Sequence, residues 1–193
     1  MAIKAFRQPP PSGRMTVMRA LGDLAPRGGA LGGGAADISK PLPVFRLGLD
    51  DLTEPDALDR AEFVAWRYLI EGGGAGPGMA DVGEAPGGDA VFGSLARNEQ
   101  ADFLLQATHL AQSVADGTSQ DCDVRLLQVP SLYATALWLT TEPPAFIPIL
   151  DVEHPIRSVA QVKVEPEFLS RLIARAHDRQ GPRHSPSSSM SGP

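Results

Sequence analysis

Residues 124–150, VRLLQVPSLYATALWLTTEPPAFIPIL, form the longest stretch of the chain that is both apolar and β-prone, and they hold one of its two tryptophans and one of its two tyrosines. Runs rich in β-branched and aromatic residues, bounded by proline and polar clusters, read as strands. Val124–Val129 and Leu132–Thr140 are separated only by Pro130-Ser131. A two-residue hairpin needs positive φ in its turn, which proline cannot supply. Residues 124–140 are therefore expected as one long strand, bent or bulged at Pro130. Thr141-Glu142-Pro143-Pro144 then reverses the chain, and 145–150 returns antiparallel. Pro148 cannot donate to a ladder on both sides, so this return strand belongs at a sheet edge or a bulge. Along the second half of the long strand, Tyr133, Thr135, Leu137 and Leu139 alternate with Leu132, Ala134, Ala136 and Trp138. Neither set is polar enough to face water freely, so one side packs on helices and the other meets more structure or a partner.

Around this stretch the pattern predicts an α+β domain, with a small antiparallel sheet packed on three helices. A short strand is expected over 43–49 and a weakly alternating one over 158–164. The first helix is expected at about 54–71: Thr53 caps, Pro55 sits in the first turn, and Gly72-Gly73-Gly74 stops it. Leu58, Ala61, Ala65 and Leu69 line one stripe of it, while Phe63, Trp66 and Ile70 lie off that stripe, as on a helix covered from two sides. The second helix, about 98–115, begins at the cap Asn98 and ends at Asp116-Gly117. The third, about 166–178, follows Glu165-Pro166-Glu167 and carries Arg171, Arg175 and Arg179 in steps of four. That stripe reads as a solvated face, or as one that meets an acidic partner.

The remaining segments are polar, or rich in glycine and proline. The chain has 193 residues, 20 of them glycine and 18 proline, concentrated in 1–43, 72–88 and 180–193. Residues 1–42 read as a disordered basic leader, 43–178 as one domain with a flexible Gly-rich loop at 72–90, and 179–193 as a disordered tail. Within the leader, Met15, Met18 and Leu21 recur at helical spacing, enough for a short amphipathic turn that orders against a partner. Met15 and Met18 are also alternative translation starts.

Charge narrows the partners. Residues 1–40 hold six basic and two acidic side chains, a balance of +4, whereas 41–178 hold nine basic and 21 acidic, a balance of −12. An acidic body repels phosphate backbones, so a nucleic-acid partner is not expected. No apolar run reaches the roughly 18–20 residues of a membrane span, and residues 1–13 lack the apolar core of a secretory signal. Cys122 is the only cysteine, which excludes an internal disulfide. The expected compartment is the cytoplasm.

No catalytic, metal or cofactor signature stands out. The glycines of 72–90 follow a predicted helix rather than a strand, so they lack the setting of a phosphate-binding loop, and no GxxxxGK[ST] pattern exists. Neither GxSxG, HExxH nor SxxK is present. His109 has Leu105 and Ser113 four residues away, so it forms no metal pair, and His154 beside Pro155 reads as a surface turn. Asp121 and Asp123 flank Cys122, but carboxylates raise a thiol pKa and oppose thiolate formation.

The segments VPSLYATALWL and FIPIL, with WRYL upstream, resemble those of a group of uncharacterised bacterial proteins across roughly residues 43–175. That resemblance implies no activity. The sequence thus favours a non-enzymatic protein-interaction protein (accessory, adaptor or chaperone-like) that binds another protein or itself. Tyr133, Trp138, Trp66, Arg171 and Arg175 are its candidate interaction surface. The alternative is a small-molecule binder or enzyme with a pocket between sheet and helices, lined by Trp138, Tyr133 and Trp66.

Overall fold

The computed structural model describes residues 8–24, 36–53, 56–72, 76–117 and 122–181. The expected helix start at Glu54-Pro55, the tail 182–193 and part of the Gly-rich segments lie outside them. The fold is α+β, but its sheet is larger than the sequence suggested and is mixed rather than wholly antiparallel. In chain order the elements are α1 (Gly13–Leu24), β1 (Asp37–Ile38), β2 (Leu42–Arg46), β3 (Glu62–Glu71), β4 (Gly78–Glu84), β5 (Ala90–Ala96), α2 (Glu99–Asp116), β6 (Val124–Val129), β7 (Ala134–Leu139), β8 (Ala145–Asp151) and α3 (Phe168–Gln180). The strands run β5-β4-β3-β2-β6-β7-β8 across one sheet, and β1 pairs with the end of β3 beside β2. Two antiparallel meanders, β2-β3-β4-β5 and β6-β7-β8, meet at the pair β2–β6. That pair is parallel, with Val44 opposite Leu126 and Phe45 opposite Leu127.

Each face carries its own core. On one face α2 covers Leu42, Val44, Leu69, Leu126, Leu137 and Ile147 with Ala101, Leu104, Ala107 and Ala111. On the other, α3 packs Phe168, Leu172 and Ala176 onto Leu127, Ala134, Ala136, Trp138 and Phe146. Beside it α1 sets Val17 against Trp66, Tyr68, Ile70, Ala80 and Val82. Strands buried on both faces lose the simple apolar–polar alternation, and this hid β3 in the sequence.

Residues 62–71 are a strand, not the expected helix, and the described residues between β2 and β3 hold the one-turn 3-10 helices 50–53 and 57–60. The decisive signal was Trp66, Tyr68 and Ile70 stepping by two onto the α1 face, with Ala65, Arg67 and Leu69 facing α2. The supposed loop 72–90 contains β4, and the supposed leader contains α1 and β1. The expected strand 158–164 holds only a 3-10 turn at 159–161.

The segment 124–140 is a hairpin, not one bent strand. Val129 pairs with Ala134 across a four-residue connection in which Pro130–Leu132 make a 3-10 turn and Tyr133 takes φ +49°. Allowing four residues instead of two moves the positive φ off proline. The reversal at 141–144 is as expected, with a cis Glu142–Pro143 bond. β8 is the edge strand its proline required. Its register slips between Thr135 and Ala136, leaving Ile149 as the extra residue of a bulge next to Pro148.

α2 begins where its cap foretold: the Asn98 side chain accepts a hydrogen bond from the Ala101 amide at 3.3 Å. α1 is seated just as closely, since a Cβ built on Gly13 would run into the buried Tyr68 hydroxyl. Burial also holds the Tyr68 pKa above its usual 10.0, so its share of stability is intact at neutral pH and is lost as pH rises above about 10. Gly13→Ala is expected to cost about 1–3 kcal/mol in chemical denaturation, the scale of overpacking a closed site. Combining it with Tyr68→Phe, which removes the obstructing oxygen, should recover part of that loss.

Candidate functional site

The arginine stripe of α3 is not a solvated face. Arg175 is 8% exposed and Asp151, at the end of β8, is 1% exposed. A buried charge needs a partner and its hydrogen bonds, or it costs several kcal/mol. Arg175 has both: Nη1 donates to Asp151 Oδ1 at 2.8 Å and Nη2 to the Leu132 carbonyl at 2.9 Å. Glu153 Oε2 lies 2.9 Å from Arg175 Nε, without the alignment of a hydrogen bond. One turn earlier Arg171 donates to Glu165 at 2.7 Å and stands 3.8 Å from Asp151 Oδ2. One turn later Arg179 donates to the Ser131 carbonyl at 2.6 Å.

These contacts fix the β6–β7 tip. Pro130 O accepts from the Tyr133 amide at 3.1 Å, Ser131 O from Arg179 and Leu132 O from Arg175, so three successive carbonyls of the turn are all bonded. The four-residue periodicity of α3 sets this up: positions 171, 175 and 179 share one face of the helix, which lies against the tip and the end of β8. Tyr133 projects from the tip, 64% exposed. Ala134 pairs with Asp151, so the next residue of the other strand, Val152, comes up beside Tyr133; it is 57% exposed. His154 Nδ1 is 3.5 Å from Asp151 Oδ2, with most of its side chain in solvent.

The structure thus brings together Tyr133, Arg171 and Arg175, but not the two tryptophans. Trp66 is 2% exposed under α1 and Trp138 is 8% exposed on the α3 side. They are the ends of an aromatic seam across that face. Trp138 meets Phe45 edge-on at 6.0 Å, Phe45 meets Phe63 at 6.0 Å, and Phe63 lies 5.1 Å from Trp66. Arg125 stacks over Trp138 and Phe45 at 4.9 and 5.2 Å, a cation–π arrangement. Both tryptophans therefore work as core, and among the described residues neither indole N–H has a hydrogen-bond partner.

A separate cavity of about 180 Å³ opens on the other sheet face beside the first turn of α2. Arg67, Gln100, Gln128 and Thr135 are its polar lining, over Met79, Leu104, Leu126, Ile149 and Leu150. None of the three aromatics expected in a pocket lines it. Arg67 is committed to Asp81 through two hydrogen bonds of 2.7 and 2.8 Å, a bidentate pair.

Among the described residues no group of three or more His, Cys, Asp or Glu is placed to hold a metal ion, and no helix is long and apolar enough to cross a membrane. Cys122 is partly buried, and its thiol pKa is pushed above the usual 9.0 first by burial, then by the Asp123 charge, against a lowering hydrogen bond at Thr140. No protein-family model, curated protein or solved structure matches the chain.

The arginine clamp was half legible. The i, i+4, i+8 spacing was visible, but the acidic partner at Asp151 is 24 residues away from Arg175 and only the β7–β8 register brings it there. Arg175→Met removes the hydrogen-bonded partner of buried Asp151, leaving only the longer approaches of Arg171 and His154, and should cost about 3 kcal/mol in urea denaturation. Adding Asp151→Leu should recover most of it. Cys122 should react with iodoacetamide at pH 8 several-fold more slowly than a free cysteine, and at the ordinary rate once the chain is unfolded.

Proposed function

We propose that this protein is a non-enzymatic protein-interaction module, of the accessory, adaptor or chaperone-like kind, and that the 130–133 tip is where its partner docks. The observation that carries this reading is the state of Tyr133. A left-handed backbone costs a non-glycine residue about 1–2 kcal/mol, a cost that glycine at this position would avoid. Instead the position carries an aromatic ring that is mostly in solvent, on a turn whose three preceding carbonyls are held by hydrogen bonds. Strain kept at an exposed, over-determined position points to use of the side chain.

Tyrosine suits that use. It offers a large amphipathic surface on few rotatable bonds, and with arginine it is over-represented among residues that dominate binding energy. Val152 widens the apolar patch, while Arg171, Arg179, Glu153 and His154 supply a polar rim of the kind that surrounds such anchors. The charged groups beneath are tied to one another, which favours a supporting role over a chemical one. A second reading, a small-molecule site, rests on the Arg67-lined cavity, whose volume lies below the usual range for drug-sized ligands.

Tyr133→Gly separates docking from folding, because glycine takes the left-handed conformation freely. Its stability should be unchanged or raised by up to about 1 kcal/mol. Partners recovered from native cell extract by the tagged wild type should bind this variant roughly thirtyfold more weakly, the effect of losing one dominant contact. Recovery of the same partners at wild-type levels by Tyr133→Gly contradicts the proposal.

A further inference from the structure

The two edges of the sheet are treated differently. On β8, Pro148 and the bulge at Ile149 interrupt pairing, and the chain itself crosses over: Ile156, Val162 and Val164 pack on the α2 side, the Glu165 amide donates to Phe146 O at 2.7 Å, and α3 continues on the other side. Those are three of the devices by which proteins close a strand edge. On β5, AVFGSLA, there is neither proline nor charge. Among the described residues no strand lies beyond it. At its first residue the Ala90 amide donates to Ser12 Oγ at 3.4 Å. An uncharged edge of seven residues is a template for another strand.

We propose that β5 is a joining strand, through which two copies of this chain pair antiparallel about a twofold axis. The occupant follows from the strand's self-complementarity. β5 carries a bulge at Gly93, the extra residue between the pairs Asp81–Ser94 and Val82–Phe92. This sets Phe92 and Leu95 toward the α1 face, and Val91 and Ala96 toward the α2 face. An antiparallel twofold keeps faces matched. The register that does so sets Phe92 of one copy opposite Leu95 of the other, and Val91 opposite Ala96, each pair occurring twice. Gly93 falls beside the axis; a Cβ there would come within 3.2 Å of the Asp81 carbonyl oxygen of β4, so glycine serves the bulge itself. At both ends, Asp89 of one copy comes to the Arg97 end of the other, so unlike charges meet.

The same operation brings the two α1 helices side by side, since α1 lies over β4 and β5. Of the six large apolar residues that the described surface exposes, Met15, Met18 and Val91 are on α1 and β5, the elements this joint covers. An interface of one strand pair and one helix pair belongs at the small end of specific interfaces, in the micromolar class. The joint stands independently of the Tyr133 tip.

Sedimentation velocity on the wild-type chain should show a concentration-dependent dimer. Val91→Lys, at a half-exposed position, should leave the unfolding midpoint unchanged and weaken the dimer at least about tenfold. In a Cys122→Ser background, V91C/A96C should oxidise to a covalent dimer, whereas V91C alone, far from its own counterpart across the axis, should not. A chain that stays monomeric at about 100 µM, a dimer that Val91→Lys leaves intact, or a V91C/A96C chain that forms no covalent dimer each overturns the proposal.

Discussion

The fold depends on one parallel contact, between β2 and β6. Parallel strands cannot be joined by a tight turn, so between Arg46 and Val124 the chain builds β3, β4, β5 and α2 before it returns to lie beside its own start. Val44, Leu126 and Leu127 at this joint are buried, because α2 covers one face while α3, Leu47, Leu52 and Ala57 cover the other. Each meander then extends away from the centre by hairpins, and each is followed by a helix that packs on one face of the sheet. α1 closes what would otherwise be an apolar face over β3 and β4. Among the described residues the helices cover most of both sheet faces, while the α2 side of β5 stays open at the half-exposed Val91.

Arg175 is the corresponding constraint on the β6–β7 tip. A buried ion pair is weak evidence for net stability, since apolar residues of similar volume can do as well. What Arg175 secures is geometry: one guanidinium bonds the end of β8 and the tip carbonyl before Tyr133. The tip, the edge strand and α3 are therefore positioned together, and a change in any of them is felt at Tyr133. Reuse of a helix stripe to clamp a turn explains why a proline-containing hairpin with a left-handed tyrosine keeps one conformation.

Parts of this were legible in the sequence for identifiable reasons. Asn98, the reversal at 141–144 and Pro148 act locally, through a cap, a turn and a missing donor, and each sits where its chemistry requires. β3 was read as a helix because apolar residues on both faces of a strand imitate a helix covered from two sides; the two-residue step of Trp66, Tyr68 and Ile70 was the better guide. β4 was hidden by its glycines, and α1 by the composition around it. Tyr133 was placed by sequence on one face of a continuous strand, whereas it stands exposed on the turn between two strands. The tryptophans grouped with it are core residues of the aromatic seam, a distinction that depends on which helix covers which strand, and so on contacts far apart in the chain.

A docking role for Tyr133 requires that it be presented by a rigid turn rather than displayed on a mobile one. Backbone 15N relaxation of residues 130–134 in the free protein measures this directly. Order parameters of about 0.85, equal to those of β6 and β7 and falling when Arg175 is replaced by lysine, are the predicted result. Values below about 0.6 in the wild-type chain would mean that the arginine contacts do not hold the tip, and would contradict the account.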